Sequence, residues 1–344
     1  MKRYLSNWKL WLGVVISAFF LCLSFRKVDF TRMAEAFQQM NYWLVFPAVA
    51  LVFFSHWLRA LRWKFLIAPL RDVNMNTLYS SLLFGYMANT FLPAHLGEFI
   101  RAYMVGRKYP VHGGSVFATI VIERLIDMFT LLILMALTLV VFPFPDWVKK
   151  SGVIAFFAIL VLFAFLVFTK IYRDASVNFI GRILKPFPDT FRDKIIELLH
   201  SFVDGLVALK SWKHYFIVII LSPLIWLCYA LIFQIGLHAF EFVSAYDLPW
   251  TTPVVLLVIT TIAIVVPSSP GYVGTYHFLC QISLAFFSVP KSEGLTFAIV
   301  LHAINFFPVL VVGLILVSLE GLNLKRLQEN ARQADTTASD FNDL

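Results

Sequence analysis

Three ionisable residues, Glu123, Arg124 and Asp127, open a segment that is otherwise apolar over 128–144. Glu123 and Asp127 are four residues apart, so a helix places both carboxylates on one face. Ionisable groups at membrane depth are costly unless they are paired or line a wet cavity. Two carboxylates with one arginine leave a residual negative charge, which suits a proton or cation relay, or an arginine held in place to meet an anion. The alternative is a structural salt bridge to a neighbouring helix.

A second charged pair, Glu98 and Arg101, lies just beyond the helix breakers Pro93 and Gly97. The two side chains are three residues apart and share a face of the short helix expected after Gly97. The free N–H groups at that helix start, together with Arg101, would suit a phosphate. The alternative is an interfacial ion pair that holds the loop in place.

A third stretch, V-V-P-S-S-P-G-Y-V-G-T-Y-H over 265–277, repeats the pattern of breakers and ends in a histidine. Glycines in such a stretch let the backbone approach a ligand closely. A later helix carries His302 and Asn305 on one face, at a position that corresponds to the Glu123 segment. We therefore predict a substrate-binding set of Glu98, Arg101, Glu123, Arg124, Asp127, His277, His302 and Asn305, and hairpin backbone at Pro93, Gly97, Pro270, Gly271 and Gly274.

The composition places all of these residues in a membrane protein. The chain of 344 residues is 60% hydrophobic and 14% charged, whereas a soluble domain is about half apolar and a quarter charged. The net charge of +8 is spread along loops, so the positive-inside rule explains it better than nucleic-acid binding does. We predict an all-α polytopic fold and no nucleic-acid partner.

Apolar segments at 10–25, 42–62, 114–144, 152–171, 213–238 and 294–318 are near the ~20 residues that span a bilayer. Lys and Arg near their ends place both termini in the cytoplasm. The second span has its cytoplasmic end at the basic residues Arg59, Arg62, Lys64 and Arg71. The broken stretches 77–107 and 251–289 must then enter and leave on one face each. This topology predicts six full spans and two re-entrant hairpins.

The predicted topology repeats itself with opposite orientation. The first half covers about 10–144 and the second about 152–318, within one transmembrane domain over 1–320. Inverted repeats with broken helices are typical of transporters with a site near the membrane midplane. The alternative is that Pro and Gly merely kink ordinary packed helices. The basic connection 172–212 contains an amphipathic helix over 189–209, and a polar cytoplasmic tail covers 321–344.

No motif for an enzyme, a cofactor or a metal site accompanies these segments. The three cysteines lie apart in apolar sequence, and no phosphate-binding loop or catalytic triad spacing is present. We predict no cofactor, no metal and no catalytic residue.

Three motifs in combination, L-P-A-H-L-G-E-F-I-R-A, I-E-R-L-I-D and V-P-S-S-P-G-Y-V-G-T-Y-H, resemble the flippase-like membrane domain family. This family comprises the transmembrane region of lysylphosphatidylglycerol synthases (multiple peptide resistance factors) and stand-alone relatives. The resemblance covers roughly 10–320. Tyr272 and His277 depart from it, since many members have a glycine and a glutamate there. The tail is too short for the soluble aminoacyl-transferase domain, so we expect a stand-alone member.

The resemblance implies lipid handling in the bacterial inner membrane. The leading hypothesis is a lipid transporter or flippase for a lipid with an anionic or phosphate head group, such as an anionic phospholipid or a polyprenyl phosphate. The first alternative is a non-catalytic membrane partner that supplies lipid to a separate transferase or glycosyltransferase. The second alternative is a scaffold without transport of its own.

Overall fold

The computed structural model describes residues 8–91, 96–144, 146–173, 176, 180, 182, 184, 189–205, 209, 211–265 and 270–319. Every regular element in these ranges is helical, which confirms the predicted all-α class. The helices are α1 (Trp8–Phe25), α2 (Phe30–Gln39), α3 (Val45–Ile67), α4 (Met75–Phe91), α5 (Gly97–Lys108), α6 (Gly113–Val141), α7 (Asp146–Ile171), α8 (Asp189–Gly205), α9 (Trp212–Ala239), α10 (Phe242–Ala245), α11 (Thr252–Val265), α12 (Thr275–Ala285) and α13 (Lys291–Leu319).

Five helical segments in the described part of the chain are long and apolar enough to cross a membrane. The chain is therefore an integral multi-pass membrane protein. The sixth expected span, 10–25, forms α1, which has 18 residues and is not one of the five. The five segments are Tyr42–Ile67, Gly113–Val141, Asp146–Ile171, Trp212–Ala239 and Lys291–Ser318.

The first broken stretch forms two helices, α4 and α5, that pack closely against each other. This close approach requires glycine, because a Cβ atom on Gly97 would lie 2.0 Å from the carbonyl oxygen of Gly85. The side chain of Asn89 accepts a hydrogen bond from the Gly97 N–H at 2.7 Å, which satisfies one free donor at the start of α5. Pro93 lies outside the described residues.

The second broken stretch forms α11, a 3₁₀ turn at Pro270–Tyr272, and α12. Gly271 and Gly274 have φ angles of 75° and 92°, in the left-handed region that side chains disfavour. A Cβ atom on Gly274 would also lie 2.4 Å from the Ser17 carbonyl oxygen, so α1 packs directly on this turn. The turn contacts α4, which links the two broken stretches. Their re-entrant path, the inverted repeat and the cytoplasmic termini stay predictions.

The predicted amphipathic helix is present as α8, and it packs against the beginning of α6. The Ser115 hydroxyl donates to the Ser201 carbonyl oxygen at 2.6 Å. Gly114 and Gly205 allow this approach, since a Cβ atom on Gly205 would lie 2.5 Å from the Ser115 carbonyl oxygen. The predicted tail 321–344 lies outside the described residues.

Three helices from this bundle, α3, α5 and α6, position the charged residues. The buried face of α3 recurs every three or four residues and includes Val52, Arg59, Arg62 and Leu66. The most extensive packing of α3 is against α9, and both α3 and α5 pack on α6. Charged side chains on three helices are thereby directed at one another.

Candidate functional site

Seven charged side chains from α3, α5 and α6 meet in one buried group, which we call the arginine–carboxylate cluster. At its centre lies Glu123, whose side chain is fully buried. One Glu123 oxygen accepts from Arg59 Nη2 at 2.8 Å, and the other accepts from Arg101 Nη2 at 2.8 Å. The members are Arg59, Arg62, Glu98, Arg101, Glu123, Arg124 and Asp127.

Asp127, one turn further along α6, completes the tight part of the cluster. Its two oxygens accept from Arg59 Nη2 at 2.7 Å and from Arg62 Nη2 at 2.6 Å. Helix α9 supplies outer contacts, because Arg59 donates to the Tyr229 hydroxyl at 3.0 Å and Arg62 donates to the Ser222 hydroxyl at 3.1 Å. Two helices, α6 and α9, therefore fix these two arginines of α3.

The edge of the cluster is formed by Glu98 and Arg124. One Glu98 oxygen accepts from Arg124 Nη2, and the other lies 3.4 Å from Arg101 Nη1. The Arg124 side chain is 34% exposed, whereas the other six cluster side chains are at most 11% exposed. Arg124 is thus the accessible member of an otherwise enclosed group.

The charges in the cluster do not cancel. Four arginines and three carboxylates give 4 − 3 = +1. The sequence-based expectation of a residual negative charge was therefore wrong, because it counted only Arg124 beside Glu123 and Asp127. Arg59 and Arg62 reverse the balance; they lie within α3 and are 5% and 0% exposed.

Sequence reasoning missed these two arginines as site residues, although a signal was available. They lie three residues apart inside the apolar stretch 42–62, so one helix face carries both. A pair of buried arginines on one helix requires carboxylate partners, and the α6 segment supplies them. The α9 partners Ser222 and Tyr229 carry no comparable signal.

The rings of Trp63 and Tyr86 line the cluster, and the guanidinium carbon of Arg59 lies 5.6 Å from the Tyr86 centroid. The Trp63 ring is fully buried, and the guanidinium carbon of Arg101 lies 4.3 Å from its centroid. Trp63 Nε1 donates to the Thr119 hydroxyl at 2.9 Å, which fixes the ring against α6. Such a cation–π contact stabilises a desolvated guanidinium.

The cluster also has unused hydrogen-bond capacity. The Nε atoms of Arg59, Arg62 and Arg101 are buried and have no partner in the ranges that the structure covers. Buried donors are nearly always satisfied by protein or ordered water. The site can therefore accept further oxygen atoms from water or a ligand.

The predicted residues of the second half form a separate group around the turn at 270–272. His302 Nε2 lies 2.8 Å from the Gly271 carbonyl oxygen, and the His277 and His302 ring centroids are 4.9 Å apart. His277 Nδ1 accepts from the Gly274 N–H at 3.3 Å, so His277 caps α12. Asn305 donates to the Leu301 carbonyl oxygen of its own helix at 2.8 Å.

No hydrogen bond or ion pair among the described residues joins His302 or Asn305 to the arginine–carboxylate cluster. Tyr272 connects the two regions by proximity, since the charges of Arg124 and Glu98 act on its hydroxyl. Its φ of 57° is a conformation that favours glycine, the residue that the family resemblance places there. The predicted hairpin residue Pro93 lies outside the described residues, and a binding site shared by the two halves stays a prediction.

The described residues contain no group of three or more His, Cys, Asp or Glu side chains arranged to hold a metal ion. The functional groups of the site are guanidinium and carboxylate groups that are largely buried. Guanidinium groups bind carboxylate and phosphate oxygens in pairs. The geometry suits recognition of an oxyanion.

The fold and this site define a multi-pass, all-helical membrane protein with a buried charged cluster. The chain belongs to the family described as the lysylphosphatidylglycerol synthase TM region, which it matches over residues 10–313. It is 24% identical over 297 residues to a UPF0104 membrane protein of Methanothermobacter thermautotrophicus, covering 82% of this chain and 87% of the relative. It is 19% identical over 320 residues to a UPF0104 membrane protein of Methanocaldococcus jannaschii, covering 88% and 92%. Neither name states a catalytic activity.

Proposed function

We propose that this protein moves a lipid with an anionic or phosphate head group across the membrane. The observation that carries the proposal is the net charge of +1 in the arginine–carboxylate cluster, combined with the accessibility of Arg124. A buried excess charge is costly unless a counter-charge accompanies it. An anionic head group provides that counter-charge.

The depth of the cluster favours a lipid over a soluble anion. Asp127 lies 127 − 113 = 14 residues from one end of α6 and 141 − 127 = 14 residues from the other. At the rise of an α-helix this distance is about 21 Å in each direction, near the middle of a spanning helix. A head group that reaches Arg124 can leave its acyl chains among the exposed apolar side chains of the membrane-facing helices.

The family supports the same class of ligand. Its description contains the name of a phosphatidylglycerol derivative, and phosphatidylglycerol has an anionic phosphodiester head group. We propose phosphatidylglycerol-like lipids first and polyprenyl phosphates second. The proposed location is the bacterial inner (plasma) membrane; the two archaeal relatives are likewise described as membrane proteins.

The test is transbilayer movement in proteoliposomes that contain only this protein. Fluorescent phosphatidylglycerol in the inner leaflet should become accessible to a membrane-impermeant quencher faster than in protein-free vesicles. Fluorescent phosphatidylcholine, whose head group has no net charge, should move more slowly. Fluorescent polyprenyl phosphate in a third set of vesicles tests the second lipid class.

The decisive variant is Arg124→Gln, which removes the accessible guanidinium and lowers the cluster charge to 3 − 3 = 0. We expect it to lose at least tenfold in phosphatidylglycerol movement, about 1.4 kcal/mol in barrier. The matched control is Arg173→Gln, which removes a surface arginine paired with Asp204. Equal movement by wild type and Arg124→Gln would exclude this role of Arg124.

The main rival is a membrane partner that presents lipid to a separate transferase or glycosyltransferase. Such a protein binds the lipid through the same cluster but does not move it on its own. Lipid binding without transbilayer movement in the proteoliposomes would therefore favour this rival. In both cases we assign no catalytic step to this chain.

A further inference from the structure

The pairing of Glu98 suggests a second property of the site. Glu98 has two cationic neighbours, but they hold it unequally. Arg124 donates directly to one carboxylate oxygen, whereas Arg101 lies 3.4 Å from the other and donates to Glu123 at 2.8 Å. The principal partner of Glu98 is therefore Arg124.

Few other groups near Glu98 can stabilise its ionised carboxylate if the Arg124–Glu98 ion pair opens. The Glu98 carboxylate is close enough to the Glu123 carboxylate on α6 and to the Tyr272 hydroxyl in the second broken stretch for their charges to interact. In α5 its charged neighbour is Arg101. These are the titratable and charged groups near Glu98 within the described chain, and the like charge of Glu123 disfavours an ionised Glu98.

An anionic head group and Glu98 must compete for the same guanidinium. Arg124 is the most accessible arginine of the cluster, so an entering phosphate meets it first. Once the phosphate holds Arg124, Glu98 is a buried carboxylate, 8% exposed, between a phosphate and Glu123. Burial and neighbouring negative charges both favour the neutral form of a carboxyl group.

We propose that Glu98 takes up one proton from water when an anionic head group binds to Arg124, so that the protein couples lipid movement to proton movement. The Arg124–Glu98 ion pair is replaced by an Arg124–phosphate ion pair, and an O–H bond forms on Glu98. No lipid bond breaks and no group is oxidised or reduced. A phosphodiester adds −1 and the proton adds +1, so the cluster keeps its charge of +1.

This exchange would make transport electroneutral for a singly charged lipid, and a pH gradient could then drive it. The inference rests on the proposed function, because it assumes that an anionic head group reaches Arg124. It adds a coupling ion and a specific acceptor for that ion.

The experiment measures proton uptake on binding. Purified protein in a neutral detergent is titrated with dihexanoyl phosphatidylglycerol by calorimetry in two buffers of different ionisation enthalpy. We expect uptake of one proton per lipid bound, and an affinity that weakens about tenfold per pH unit as the pH rises. Dihexanoyl phosphatidylcholine should produce neither effect.

The variant Glu98→Gln identifies the acceptor. It cannot take up a proton and no longer competes as a charge for Arg124, so binding should be tighter at neutral pH and independent of pH. The matched control is Asp146→Asn, a carboxylate in an exposed pair with Lys149, which should keep the proton uptake. If Glu98→Gln does not yield folded protein, the wild-type titration alone still decides whether a proton is taken up.

The outcomes separate the two proposals. Binding without proton uptake overturns the coupling and leaves the transport proposal standing. Proton uptake that persists in Glu98→Gln overturns the assignment to Glu98. Proton uptake by a protein that moves no lipid in proteoliposomes supports protonation on binding, and it overturns both transport and its coupling to protons. Absence of binding overturns both.

Discussion

The substitution Glu123→Gln tests whether the arginine–carboxylate cluster holds the fold together. Glutamine keeps the size of the side chain but removes its charge. The cluster charge then rises from 4 − 3 = +1 to 4 − 2 = +2, and the excess is buried. Arg101 loses its 2.8 Å partner, and Arg59 keeps only Asp127 as a close carboxylate.

The expected magnitude follows from the burial of both partners. The side chains of Arg59, Arg62 and Arg101 are 6%, 0% and 2% exposed, and that of Glu123 is 0% exposed, so water cannot replace the lost charge. Breaking a buried ion pair by removing one partner costs about 3–5 kcal/mol. The unfolding temperature should fall by on the order of 5–10 °C.

The assay is thermal unfolding of the purified protein in detergent, followed by intrinsic tryptophan fluorescence. The matched control is Glu35→Gln, an exposed carboxylate on α2, which should change the stability by less than about 0.5 kcal/mol. If Glu123→Gln unfolds at the same temperature as wild type and the control, the ion pairs of Glu123 do not stabilise the fold.

A second substitution checks that the excess charge is the cause. Adding Arg59→Gln to Glu123→Gln returns the cluster charge to 3 − 2 = +1. The double variant should lose less stability than the two single variants lose together, by about 0.5–3 kcal/mol. Strict additivity would mean that the two side chains do not interact.

Two further predictions concern the surroundings of the cluster. Gly97→Ala should destabilise the α4–α5 pair by about 1–3 kcal/mol, because its Cβ would lie 2.0 Å from the Gly85 carbonyl oxygen. The control Gly113→Ala, whose Cβ would have nothing within 4 Å, should be neutral or stabilising. A lower unfolding temperature for Gly113→Ala than for Gly97→Ala would refute this explanation. Trp63→Phe should lower the free energy of unfolding by about 1–3 kcal/mol, because it removes the hydrogen bond to Thr119 and weakens the contact with Arg101. The control is Trp147→Phe at a 39% exposed site, and an equal effect there would contradict this explanation.

Much of the architecture could be predicted from the sequence. Long apolar runs with few charges predict spanning helices, and Pro and Gly predict the breaks that separate α4 from α5 and α11 from α12. The pairing of Glu98 with Arg101 and Arg124 agrees with the expectation that ionisable groups at membrane depth are paired. Local sequence carries this information because the cost of burying a charge is large.

The charge balance of the site could not be obtained by the same reasoning. The positive-inside rule assigns arginines near a span end to the cytoplasm, and Arg59 and Arg62 satisfy that pattern. Their actual position depends on the packing of α3 against α6 and α9, which the chain's local pattern does not specify. The same holds for Ser222 and Tyr229. They lie in an apolar helix, and only the packing of α9 against α3 makes them partners of the two arginines.

The central claim is that an anionic head group binds Arg124 inside the membrane. It is tested most directly by a cryo-electron-microscopy map of the protein in phosphatidylglycerol nanodiscs. We predict lipid phosphate density within hydrogen-bond distance of the Arg124 guanidinium, with Glu98 displaced from it. Lipid phosphates confined to the two membrane surfaces, beside an intact Arg124–Glu98 pair, would contradict the claim.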